Sequence, residues 1–86
     1  MTHYKGILTL ITSDQIRAAR ALLKWSRSDL SKKSGVGFSG LLRLESADGI
    51  PNSHVKTLEA LKKTFEDAGV EFIGSPDSQA GVRWKS

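Results

Sequence analysis

A chain of 86 residues with 38% hydrophobic side chains and no cysteine has room for one buried core, held by packing alone, which excludes a disulfide framework and a thiolate metal site. The most apolar stretch near the start, Ile7 to Ile11, contains Thr9 and is too short for a membrane span or a signal-peptide core, so a cytoplasmic location is expected. Thirteen Lys and Arg against nine Asp and Glu give a net charge of +4 and a pI near 9.7, and the excess is uneven: residues 1–44 hold eight basic and two acidic side chains, residues 45–86 five and seven.

Residues 1–11 read as a leader whose Ile7, Leu8, Leu10 and Ile11 suit a short strand or an apolar strap. A first helix is expected from about Ser13 to about Lys24, because Thr12-Ser13-Asp14-Gln15 matches a capping box and Ile11 and Ile16 occupy the two staple positions around it. Ile16, Ala19 and Leu23, with Leu22 beside them, keep the spacing of one buried face and leave Arg17, Arg20 and Lys24 to water or to a partner. The same punctuation recurs at Trp25-Ser26-Arg27-Ser28-Asp29-Leu30, which starts a second helix that stops at Gly35. A third begins with Gly37 as cap and Val36 and Leu41 as staple, and ends near Ser46, before Asp48-Gly49-Ile50-Pro51.

Asn52 or Ser53 is the expected cap of a fourth helix, whose Val55, Leu58, Leu61, Phe65 and Ala68 form the cleanest amphipathic stripe, with Gly69 as a left-handed stop. Val70–Ile73 and Gly81–Trp84 then read as two short strands around a loop opening with Gly74-Ser75-Pro76-Asp77. The division is thus a leader over 1–11, a helical unit over 12–69 and a C-terminal hairpin or tail over 70–86.

The segment Arg27 to Leu44 carries the most information. For two short helices to cross steeply through Ser34-Gly35-Val36-Gly37, the chain needs a left-handed residue at the corner, a small residue where the backbones touch, and apolar anchors beneath both. Gly35, Ser31, and the set Leu30, Val36, Leu41 and Leu44 meet those demands.

With Ile16-Arg17-Ala18-Ala19-Arg20-Ala21-Leu22-Leu23, Trp25-Ser26, Asp29-Leu30, Ser34-Gly35-Val36, Arg43-Leu44-Glu45, and Pro51 followed by Thr57-Leu58-Glu59-Ala60-Leu61, the chain resembles the Cro/repressor or XRE-type helix-turn-helix regulators. The tail Ala68-Gly69-Val70-Glu71-Phe72-Ile73 with Gly81-Val82-Arg83 is similar to the ending of some small bacterial members. The resemblance covers roughly residues 11 to 73. It implies a mainly α, lambda-repressor-like domain of four or five helices, here with a short C-terminal β-hairpin. It also implies a regulator of transcription that places the second helix of the motif in the major groove of double-stranded DNA, usually as a homodimer.

By position, Arg27 opens the first motif helix, where the family often has a glutamine contacting the DNA backbone, and Gly37, Phe38, Ser39, Leu42 and Arg43 fall on positions that face DNA. Ser26 and the free amides at the starts of helices two and three can hold phosphates. Arg43 can fork onto guanine N7 and O6, and Phe38 can meet a thymine methyl. The sequence departs from the family pattern at Phe38, where a polar base reader is common, and at Gly37 and Gly40, which offer no side-chain donors; Gly40 costs about 1 kcal/mol of helix stability relative to Ala.

His3 and His54 are isolated, no HExxH spacing occurs, the acidic residues are scattered, and nothing pairs Ser, His and Asp as a nucleophile motif. An enzyme is therefore not expected, nor a metal, a cofactor or a small-molecule ligand. Phe38 also suits a protein interface or the core, which leaves open a protein-binding module on the same fold, of antitoxin or anti-repressor type. Trp25 is expected in the core and Trp84 as a core lid or dimer contact. Val70–Ile73 and Val82–Trp84 read as the segments least committed to the core, so the C-terminal region, with the leader, is expected to pair across a dimer axis through Phe72 or Trp84.

Overall fold

The computed structural model describes residues 10–47, 55–76 and 78–85. Four helices lie among them: α1 (Ser13–Leu23), α2 (Arg27–Ser34), α3 (Phe38–Ser46) and α4 (Val55–Asp67). A two-stranded antiparallel hairpin, β1 (Val70–Ser75) and β2 (Ser78–Trp84), completes a mainly α domain. The expectations for residues 1–9, for the stop at Asp48–Pro51, for the Asn52 or Ser53 cap and for both histidines lie outside the described residues.

Local chemistry sets the helix starts. The Thr12 hydroxyl accepts from the Gln15 amide at 3.0 Å while Gln15 Oε1 accepts from the Thr12 amide at 2.8 Å, which satisfies two otherwise orphaned groups at the head of α1. The same reciprocal pair joins Ser26 and Asp29 at α2. The Ser26 amide on its carboxylate holds Asp29 below the ordinary carboxylate range. α1 ends on Lys24, which takes the left-handed conformation (φ 58°), with the Trp25 amide returning to the Arg20 carbonyl at 3.0 Å.

The corner between α2 and α3 is built from three small residues. Gly35 has φ +80°, and its amide donates to the Ser31 carbonyl at 2.9 Å. The Ser31 hydroxyl donates to the Val36 carbonyl at 2.6 Å, and Ser34 Oγ accepts from the Val36 amide. The expected left-handed corner and apolar anchors are present, with Leu30, Leu41 and Leu44 buried and Val36 packed at the edge of the core.

α4 buries Leu58, Leu61 and Phe65, whereas Val55, expected on the same stripe, is 45% exposed at the start of the helix. Phe65 is the aromatic hub. Its ring lies 5.9 Å from Trp25, stacked, and 5.9 Å from Phe72, tilted, so one side chain ties α4 to the α1–α2 link and to β1.

The hairpin corrects two expectations. It is longer than Val70–Ile73 with Gly81–Trp84, because β1 runs to Ser75 and β2 begins at Ser78. A register irregularity between Ile73 and Ser75 accommodates Gly74, where a Cβ would meet the Gln79 carbonyl oxygen at 2.1 Å, so no larger residue fits.

Nor is the hairpin loosely committed. Val70 is fully buried, Phe72 and Val82 pack against the core, and Gln15 Nε2 of α1 donates to the carbonyls of Ile73 and Gly81. The reason is the row Val70–Phe72 on β1, whose partners across the ladder are Trp84 and Val82, laying one apolar face over α1 and α4. Phe72 is thereby spent on the fold, and only Trp84, at the end of the row, stays 51% exposed.

Gly35 gives a direct test of the corner. Nothing lies within 4 Å of a Cβ built there, so the only cost of a side chain is its left-handed backbone. Gly35→Val should lower stability by about 1–2 kcal/mol, and Gly35→Asn by clearly less, in thermal unfolding. Equal melting temperatures for the three proteins would contradict the left-handed corner.

Candidate nucleic-acid interface

The orientation of α3 is set by one buried carboxylate. Leu41, Leu44 and Glu45 share its inner face, and the Glu45 side chain is 1% exposed. Burying an ionised carboxylate is costly without partners. Arg20 of α1 supplies a two-pronged pair, Nη2 to Oε1 at 2.7 Å and Nε to Oε2 at 2.9 Å, and Arg27 of α2 adds Nε to Oε1 at 3.0 Å. The Glu45 hydrogen bond raises the Arg20 pKa above its already high value. Arg20 also donates to the Trp25 carbonyl at 3.1 Å.

Two further bonds secure the same end of α3. The buried Ser13 hydroxyl donates to the Leu44 carbonyl at 2.6 Å, and Arg17 donates to the Glu45 carbonyl while pairing with Asp14. Arg17 and Arg20, expected to face water or a partner, therefore turn toward α3. Lys24 does remain exposed. Among the described residues no buried side-chain N or O lacks a hydrogen bond.

With its inner face fixed, α3 presents Phe38, Ser39, Leu42, Arg43 and Ser46 outward. Successive turns align residues four apart, so Phe38 and Leu42 form an apolar row and Ser39 and Arg43 a polar row beside it. Ser39 and Arg43 have no hydrogen-bond partner among the described residues, whereas the Ser46 hydroxyl donates back to the Leu42 carbonyl at 2.7 Å. Gly37 is the N-cap and makes no side-chain cap bond, so the first amides of α3 have no side-chain partner from it.

The residues singled out from the sequence thus fall into two groups. Gly37, Phe38, Ser39, Leu42 and Arg43 are brought together on one exposed arc. Ser26 and Arg27 stand apart at the head of α2, Ser26 as its exposed cap and Arg27 half-buried against Glu45. Glu45, Arg20 and Ser13 are the positioning residues that sequence reasoning passed over. One signal was available: Glu45 falls on the stripe of Leu41 and Leu44, and a carboxylate on a core stripe needs a cationic partner. Lys33 of α2 lies 5.1 Å from the Trp25 ring centre, which leaves its charge at the surface beside the motif. No group of three or more His, Cys, Asp or Glu able to hold a metal ion exists among the described residues.

The chain belongs to the Cro/repressor-type helix-turn-helix family, whose helix-turn-helix model matches residues 16–64, from within α1 to within α4. That family consists of DNA-binding regulators. No curated protein and no solved structure matches the chain. Among the described residues no helix is long and apolar enough to cross a membrane.

Removing the carboxylate tests the Glu45 cluster. Glu45→Ala leaves two guanidinium groups without their partner and should cost about 3 kcal/mol in urea unfolding, the low end for a broken buried pair because Arg27 reaches solvent. A loss below about 1 kcal/mol, the value of a surface pair, would mean that the cluster does not hold α3.

Proposed function

We propose that the chain is a sequence-specific, cytoplasmic regulator of transcription that binds double-stranded DNA as a homodimer, with α3 in the major groove and no enzymatic step. The observation that carries this reading is the outward arc of α3, where Arg43 stands unpaired among the described residues on a helix whose inner face is anchored to α1 and α2. A free guanidinium on a rigid helix is suited to guanine N7 and O6. The Ser26 hydroxyl proton, the outer part of Arg27, and exposed Lys32 and Lys33 supply donors for phosphates.

Selection of bound duplexes from a random pool tests the reading, and a recovered palindrome supports two-fold symmetry. On the recovered site Arg43→Ala should weaken binding by about 1–3 kcal/mol and relax one base position, and affinity should fall steeply with salt. Equal losses on selected and scrambled DNA would make Arg43 a phosphate contact instead.

One small reader has too little interface for the affinities of specific regulators, whereas two copies can read half-sites about 34 Å apart. For the self-contact the exposed Trp84 is the candidate in the hairpin, since Phe72 is taken up by the core. Cutting the chain after Gly69 would remove buried Val70 and unfold the domain, so a substitution is the better probe. Trp84→Ser should shift sedimentation from dimer to monomer without loss of helical signal. A dimer that survives the change places the contact elsewhere.

A further inference from the structure

Four residues at the start of α3 have no packing role among the described residues. Phe38 is 47% and Leu42 45% exposed, and neither belongs to the side chains packed against the core. Gly37 and Gly40 both have ordinary backbone conformations, and a Cβ at Gly37 would meet nothing within 4 Å while one at Gly40 would meet only Val36 Cγ1 at 3.9 Å. The fold has room for side chains at both, and Gly40 weakens α3 compared with Ala.

The segment that carries that ridge is basic. Between Arg27 and Ser46 the basic residues are Arg27, Lys32, Lys33 and Arg43, and the acidic ones are Asp29 and Glu45. Glu45 is buried between two arginines, which leaves Asp29, bonded to the Ser26 amide, as the one surface carboxylate of this stretch against exposed Lys32, Lys33 and Arg43. An apolar ridge with an unpaired arginine in the row beside it fits apolar groups embedded in a polyanion.

Resting on the reading of α3 as a DNA reader, we propose that Phe38 and Leu42 select the half-site through thymine 5-methyl groups, with Arg43 reading an adjacent guanine. The thymine methyl is the one apolar group a base pair displays in the major groove. Phe38 and Leu42 are one turn apart, about 6 Å along the helix axis, which spans about two base-pair steps of 3.4 Å. The free side-chain donors on the arc are then Ser39 and Arg43 alone, since the Ser46 hydroxyl is bonded to its own helix. Discrimination among bases consequently falls on methyl contacts at the positions facing Phe38 and Leu42.

The test uses the full chain and a duplex recovered from a random pool. Each half-site thymine is replaced by deoxyuridine, which pairs with adenine in the same way and lacks only the methyl group. Affinity should fall about fourfold for each contacted methyl, the free energy of burying one such carbon group. In the Phe38→Ala, Leu42→Ala double variant, whose changes leave the core untouched, thymine and deoxyuridine duplexes should bind alike.

Equal binding of both duplexes by the unaltered chain, with discrimination against scrambled DNA retained, overturns the methyl readout and leaves the DNA reader standing. A double variant that keeps full affinity and thymine preference likewise overturns it and assigns the ridge to another surface, such as a protein partner. Failure of the unaltered chain to bind any duplex overturns the DNA reader and this inference together.

Discussion

A carboxylate that must not be left alone in the core determines how the three helices of the motif sit. Glu45 is reached from α1 by Arg20 and from α2 by Arg27, and these bonds have direction as well as energy: a two-pronged guanidinium–carboxylate pair tolerates little rotation of α3 about its axis. Ser13 and Arg17 bind the backbone at the same end of α3, so the helix is held at its C-terminal turn by polar bonds and along its inner face by Leu41 and Leu44. Apolar contacts alone would allow α3 to roll by a fraction of a turn at small cost. The charged cluster removes that freedom, and with it any ambiguity about which side chains face out.

This arrangement divides the positive charge of the N-terminal half. Arg17 and Arg20 are drawn toward α3 by the Glu45 carboxylate and carbonyl oxygens, and what remains for a partner among the described residues is Lys24, Lys32, Lys33, Arg43 and the outer part of Arg27. The net charge therefore overstates the charge available for binding, while the local balance around α3 is more positive than the acid count indicates because its one carboxylate is neutralised within the core. A small domain can thus combine a rigid reading helix with a modest overall charge.

Much of this was legible residue by residue. Both capping boxes, the left-handed Gly35 and the starts of α2 and α3 follow from interactions within four residues, which sequence spacing encodes directly. The exposed arc of α3 was legible too, since Leu41 and Leu44 fix its inner stripe. The Glu45 cluster was not, because its bonds join positions 18 and 25 residues apart and a surface arginine and a buried one look the same in sequence. The hairpin was misjudged for a related reason: a strand pair read in isolation is marginal, and its stability here comes from Val70 buried in the core, from Phe72 meeting Phe65 and from Gln15 bonding two of its carbonyls.

Where local rules and the folded structure agree, as at Thr12, Ser26 and Leu58, a residue is accounted for by the fold itself. Phe38, Leu42, Gly37 and Gly40 are the positions where they disagree: two large apolar groups face water, one glycine occupies a helix interior and another a cap that Ser or Asp would improve. No packing among the described residues repays these choices. They lie within six consecutive residues of one helix, the same helix that the Glu45 cluster holds rigid, and a concentration of locally unfavourable choices on a rigid, exposed element marks a surface shaped by what it binds.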